Sequence, residues 1–398
     1  VLKKIFDNAT ISFIKLSGWM SSIIVLLIVI FLFKEGIGLF QQTPVETGYV
    51  IAVNKSNKIE SLTPEQYKVI FDRDSTNWKI FNGNDAEIEV FTIDDIGSFF
   101  SDSALGDNMK NLPECINQHI AETPNIITYF PEKYISKNFK GKILPSETIN
   151  PATFISHATW LPTAQPVAQL GVLALIISTL LVSLGAIAIA LPFGLATAIY
   201  LAEISNEKFR NIIKPIIELL AGIPSVVYGF FGLVIIVPKI QQIFNLPVGE
   251  TGLAGSIVLA IMALPTIITV AEDAIRSVPK SMKEASLALG ANKWQTIYKV
   301  ILPYASSGIT TAAVLGVGRA VGETMAVLMV TGNAAELSFS LLKPVRTIPA
   351  TIAAELGEAT YGGMHFKALF ALGCILFLIT LAINIYVEIL SSKKRGTK

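Results

Sequence analysis

Six apolar runs, each close to the length needed to cross a bilayer, constrain this chain more than any other feature. A helix needs about 20 apolar residues to span the hydrocarbon core. Inside lipid every backbone amide must find its partner within the segment, so each run has to be helical. The runs cover residues 16–33, 170–201, 212–237, 252–271, 305–330 and 368–390. Pro192 falls inside the second, and Pro224 divides an entry helix from the third span proper. The expected architecture is an all-α polytopic membrane protein with about six transmembrane helices and one large polar insertion, residues 34–167.

Composition agrees with lipid contact: 52% of the 398 residues are hydrophobic and 15% charged, against about 25% charged in soluble domains. A net charge of +1 offers no electrostatic reason for a nucleic-acid partner. Cys115 lies in the polar segment and Cys374 in an apolar run, so the two are not expected to pair. The first apolar run lacks a small-residue cleavage site and reads as a retained helix rather than a signal peptide.

Charge sets the sidedness. With the N-terminus in the cytoplasm, the internal pieces hold 15 Lys and Arg residues, from Lys3, Lys4 and Lys15 to Lys393, Lys394, Arg395 and Lys398. The short external loops hold four: Lys239, Lys343, Arg346 and Lys367. The positive-inside rule therefore places both termini in the cytoplasm and residues of about 34–167 outside.

The longest internal loop contains Glu284-Ala285-Ser286-Leu287-Ala288-Leu289-Gly290, then Val300-Ile301-Leu302-Pro303. This reads as a short amphipathic helix, a glycine turn and a second short helix that re-enters the membrane at Pro303. A compact surface helix flanked by basic residues fits a groove on another protein; the bland alternative is an ordinary membrane-surface helix. The spacing resembles the coupling loop of ABC importer permeases, with Val300 where that family more often has Ile. The resemblance implies a type I importer fold and an ATPase homodimer docked on residues 276–303, with Glu284, Ala285, Gly290, Leu302 and Pro303 carrying the contact. No G-x-x-x-x-G-K-[ST] phosphate loop occurs here, so ATP and Mg would be bound by the partner, with no cofactor on this chain.

Further stretches resemble the phosphate-specific (Pst) permeases, more the C-type than the A-type subunit. They are Trp160-Leu161-Pro162, Leu191-Pro192-Phe193-Gly194, Ala221-Gly222-Ile223-Pro224-Ser225 and Gly318-Arg319-Ala320-Val321-Gly322-Glu323-Thr324. The implied protein is a bacterial inner-membrane permease subunit, not an enzyme, that carries inorganic phosphate. It would pair with a second, A-type permease and receive phosphate from a periplasmic phosphate-binding protein. Alternatives are a permease for another oxyanion such as molybdate or sulfate, and a sensor or scaffold without flux.

Arg319 stands inside an apolar run, where a charge costs at least about 2.5–3.5 kcal/mol. Glu323, four residues on, is expected on the same helix face, and Gly318 with Gly322 would let a neighbouring helix approach closely. Two readings stay open. Either the pair locks the bundle, or Arg319 offers a donor fork to an oxyanion while Glu323 tempers its charge so that the anion is released. Thr324 and Ser225 are further pathway candidates, and Thr266 stands beside them. Ser178, Thr179 and Ser183 read as packing groups, and Glu218 as a surface or gate charge.

The polar segment carries 11 Lys or Arg against 17 Asp or Glu, a net of −6. Strand patterns at residues 49–53 and 88–91 flank a helix start at Thr63-Pro64-Glu65-Gln66, with Thr63 and Gln66 forming a capping box. A small α/β insert follows. Residues 49–95 resemble part of a phosphate-binding protein, but Ile93 and the bulky Thr92–Phe100 stretch occupy the positions of that family's arginine and glycine-rich turn. The domain scheme is thus an N-terminal helix with flanks (1–40), an insert (41–153) read as an interaction or gating module, with an insertion without function and residual phosphate binding as the alternatives, and a permease core of five helices (154–398).

Overall fold

A computed structural model describes residues 2–395; Lys398, counted above among the internal cations, lies outside them. Among the described residues six helices are long and apolar enough to cross a membrane: Thr10–Gln41, Leu173–Ile204, Ser225–Phe244, Gly252–Arg276, Lys293–Gly322 and Met364–Ile389, here spans 1 to 6. The expected number is met, and so is the expected division at Pro224: Glu207–Ala221 forms a separate surface helix, whose first turn is closed by Asn206 accepting from the Phe209 amide at 2.7 Å, and span 3 begins at Ser225. Span 5 begins earlier than expected, at Lys293.

The larger correction concerns span 5. The run at 305–330 was expected as one continuous helix; instead the helix stops at Gly322 and resumes as Met325–Val330. No proline marks the break. Gly322 is a weak helix former, and no atom lies within 4 Å of where its Cβ would stand, so no neighbouring packing holds it helical.

Two compact units make up the chain. The first comprises the residues up to Gly36, Val172–Tyr361 and everything from Leu369. Span 4 is its hub, packed along spans 2 and 5. Membrane helices associate through close packing of small residues rather than through the hydrophobic effect, and this unit follows that rule. Gly185 abuts Ser256, Gly308 abuts Ala274, and Gly194 and Gly316 both abut Ile267. The Ser256 hydroxyl lies within 3.1 Å of the Val182 carbonyl, tying span 4 to span 2. The close-approach face of span 5 therefore runs through Gly308, Ala312, Gly316 and Ala320. It does not run through Gly318 and Gly322, which face open space. Span 1 packs on span 6, with Phe31 edge-on to Phe370 at 5.5 Å and Gly36 against Cys374.

The second unit is Ile37–Gly171 with Gly362–Ala368. Its sheet has the order β2-β3-β1-β4, from β1 (Tyr49–Asn54), β2 (Glu89–Thr92), β3 (Ile126–Pro131) and β4 (Gly141–Ile143). β3 is antiparallel to β1 and parallel to β2. Both faces are covered. Ile51, Val53, Ile127 and Tyr129 pack under Tyr67, Ile70 and Trp78, while Ala52, Phe91, Ile126 and Phe130 pack under Leu112, Ile116 and Ile120. The helix Pro64–Phe71 starts with the expected capping box, Thr63 Oγ1 accepting from the Gln66 amide and Gln66 from the Thr63 amide. The unit runs past residue 153, where the insert was expected to end. Val167 is buried in its core and bridges Val45, and residues 160–161 pair with 169–170.

Candidate functional site

The loop after span 4 has the geometry its sequence requires. The helix Lys280–Ala288 ends in Gly290 at φ +86°, a left-handed conformation that a side chain would strain. Asn292 and Gln295 then form a capping box for the short helix Lys293–Thr296. Ser286 and Thr296, both buried, join the two arms through hydroxyls 3.0 Å apart. Between them lies an open groove of about 550 Å³ lined by Met282, Ala285, Leu289, Gly290, Gln295 and Val300. Leu289 is 89% exposed, Tyr298 66% and Trp294 64%. Glu284, Ala285, Gly290 and Pro303 are exposed and Leu302 half-buried, so the loop presents its motif outward.

Behind this surface the loop rests on a firm base. Ile275, Val278, Ile297 and Ile301 form one apolar cluster with Ala198 and Ala305. Lys283 Nζ meets Glu203 Oε1 at 2.5 Å. Beside them Glu272, 1% exposed, holds Lys214 at 2.5 Å and Arg276 at 3.4 Å. A carboxylate so deeply buried is tolerable only with such partners. Burial pulls the Lys214 ammonium down, but hydrogen bonds to Asp273 and Glu272 more than offset this and raise it above the ordinary lysine value. These ion pairs were not foreseen; the spacing Glu272–Arg276 at i,i+4 at the end of an apolar run was the available signal.

The second cluster of candidates sits at helix breaks. Span 3 starts at Ser225 after Pro224, and the Tyr228 hydroxyl donates back to the Leu220 carbonyl at 2.8 Å, closing the turn. Its Gly229 lies against Ala326 and Met329, so the helices starting at Ser225 and Met325 pack together. Arg319 occupies the last turn of the helix ending at Gly322, where a cation suits the helix dipole. Glu323 is extended, and its Oε1 accepts from the Ala326 amide at 3.4 Å. The expected sharing of one helix face by Arg319 and Glu323 is thereby overturned, and among the described residues the two form no ion pair. Thr324 donates to the Gly322 carbonyl at 3.3 Å. Arg319, Glu323, Thr324 and Ser225 are all half-buried. Of the groups read as packing, Thr179 accepts from the Ile348 amide at 2.9 Å, whereas the buried Ser178 hydroxyl has no partner.

Residues 190–396 match the family described as binding-protein-dependent transport system inner membrane component. The chain belongs to that family. Over 248 residues it is 41% identical to the probable ABC transporter permease YqgH of Bacillus subtilis, covering 62% of this chain and 80% of that protein. It is 39% identical over 250 residues to the phosphate transport system permease PstC of Mesorhizobium japonicum, covering 58% and 75% of the two chains. With PstC of Pasteurella multocida it shares 38% over 268 residues, covering 62% and 82%. A member of this family is the membrane component of a transporter and not an enzyme.

In the second unit, the bulky stretch at 92–100 packs its aromatic rings against Phe91. Phe91 packs edge-on against Phe99 at 5.2 Å and Phe100 at 5.8 Å, and His119 lies 5.2 Å from Phe99. A separate cleft of about 540 Å³ lies between Thr63–Tyr67, Ser146–Asn150 and His157, with Glu65 and Glu147 on its rim and no Lys or Arg among its lining residues.

Proposed function

We propose that this chain is the pore-forming permease subunit of an ABC importer that moves inorganic phosphate into the cytoplasm, driven by ATP hydrolysis on separate subunits. The observation that carries the reading is the exposed Lys280–Ile301 loop, in which a left-handed Gly290 turns two short helices into a groove lined by Met282, Leu289 and Val300, with Trp294 and Tyr298 also exposed on the loop. Large exposed apolar side chains around a shaped groove mark a protein docking surface. Phosphate as the solute follows from the relatives named as phosphate permeases.

In this scheme both termini and the loop are cytoplasmic, as the cation asymmetry indicates. Two ATPase subunits, holding ATP and Mg, seat on the loop of this chain and on that of an A-type permease. A periplasmic binding protein presents phosphate from the other side. Arg319, unshared with Glu323, offers its whole guanidinium fork to the anion. Glu323 and Thr324 shape the break instead. Non-helical backbone between two apolar helices is tolerated in a membrane only when buried in protein or lining a watery path, which favours placing Ser225, Glu323 and Thr324 on the pathway. The insert, acidic and with its aromatic stretch filled, serves as a docking or gating module and not as a phosphate site.

The test is ATP-dependent uptake of labelled phosphate by vesicles containing the whole complex. Wild type should accumulate phosphate, and Gly290→Asp should lose both uptake and the copurifying ATPase. Uptake of molybdate or sulfate in preference to phosphate would replace the solute; retention of the ATPase by Gly290→Asp would remove the loop as its seat.

A further inference from the structure

Among the described residues, side chains of the loop helix Lys280–Ala288 make two polar contacts with other elements. One is the Ser286–Thr296 hydroxyl contact, which stays within the loop. The other is Lys283–Glu203, the one ion pair among the described residues that joins this helix to a membrane span. Met282, Ala285, Ser286 and Leu289 line the groove, and Lys283 does not. Lys283 thus ties the helix to the span while these neighbours are left on the open groove.

Glu203 stands in a peculiar stretch of span 2. From Tyr200 to Ile204 the span leaves α geometry for a single π turn, and Ile297–Ile301, on the far side of the loop, does the same. Single π turns inside α-helices are frequent at functional positions, because they rotate a side chain out of the helix's ordinary register. The side chains of Glu203 and Lys283 are only 13% and 22% exposed. Water therefore screens them less than it would a surface pair, and removing one partner leaves the other charge poorly solvated. The apolar cluster beneath is built from Ala198, Ile275, Val278, Ile297 and Ile301. None of these residues belongs to the loop helix Lys280–Ala288, so the cluster does not fix the angle of that helix on the span. A directional contact does.

We propose that the Glu203–Lys283 ion pair is the positioning joint that makes span 2 follow the loop helix, converting movement of a docked ATPase into movement of the membrane helices. The proposal rests on reading the loop as the ATPase seat. Neither residue is among the pathway candidates, and Lys283 is not among those lining the groove. Loss of the joint therefore separates the two activities: hydrolysis continues while the span no longer follows.

The experiment uses the complete transporter in vesicles with Glu203→Gln, Lys283→Met and the double reversal Glu203→Lys/Lys283→Glu. Phosphate taken up per ATP hydrolysed should fall at least about tenfold in each neutral variant, with hydrolysis within about twofold of wild type, and the reversal should recover most of it. An unchanged ratio in both single variants, or a reversal no better than the singles combined, overturns the proposal. Spin labels on the loop helix and on span 2, read with and without ATP, give a measure that does not depend on the solute. Their separation should hold constant in wild type and change by more than about 2 Å in Lys283→Met. A wild-type separation that itself changes with ATP overturns the joint. A complex that takes up no phosphate overturns the solute assignment instead, and the label distances still decide the joint.

Discussion

Arg319 and Glu323 lie on opposite sides of a helix break: Arg319 closes the helix that ends at Gly322, and Glu323 accepts from the Ala326 amide of the next one. Four residues in a continuous helix would stack the two side chains; one extended residue separates them. Among the described residues Arg319 is thus left without a carboxylate partner at a helix C-terminus, while Glu323 is engaged with backbone.

If Arg319 serves the anion alone, Arg319→Ala should lower phosphate uptake at least about tenfold with the complex still assembled. The exchanged pair Arg319→Glu/Glu323→Arg should not recover it, because no mutual contact exists to restore. Uptake by the exchanged pair at near wild-type rates would reinstate the ion pair. The measurement is vesicle uptake alongside copurification of the ATPase.

Span 5 predicts two contrasting glycine substitutions. A Cβ on Gly308 would meet that of Ala274, so Gly308→Val should destabilise the bundle by about 1–3 kcal/mol. Gly318 has nothing within 4 Å, so Gly318→Ala should not lower the melting temperature of the purified subunit and, through the better helix propensity of Ala, should raise it slightly. Equal losses in the two variants would mean that the Gly318 face is covered by another chain in the preparation.

Thr63→Ala should remove one half of the capping box and cost the helix Pro64–Phe71 about 1 kcal/mol. Hydrogen exchange at the amides of Gln66 and Tyr67 in the full-length protein should speed up about fivefold, and the rate at strand β3 should not change. Acceleration of both alike would show that the whole unit opens together.

Burial pushes the Tyr67 phenol from 10.0 up to about 12. The folded state thus favours the neutral form more than the unfolded chain does. Its contribution to stability is complete below pH 10 and is lost as pH climbs from 10 through about 12. The difference in phenolate absorbance between wild type and Tyr67→Phe should titrate near 12. A midpoint near 10 would place Tyr67 in contact with water.

The fold was legible wherever local chemistry decides it. Six runs of apolar residues had to become six helices, since lipid offers no other partner for their amides. The Thr63–Gln66 box and the Gly290 turn were readable because each depends on side chains within a few residues of the backbone they satisfy. The strands at 49–54 and 89–92 were readable from their patterns, but the sheet order was not, because β3 at 126–131 joins them from about 35 residues beyond β2.

Of the candidate site, the loop and its motif could be read from residue spacing. The break after Gly322 could not, because it depends on how the spans pack. Nothing packs on Gly318 or Gly322, while the stripe from Gly308 to Ala320 takes the contact with span 4, so the helix has no support where its weakest former stands. The same holds for Glu203–Lys283 and Lys214–Glu272. Their partners are 80 and 58 residues apart, and only the folding of spans 2 and 4 against the loop and the surface helix brings each pair of charges within 2.5 Å.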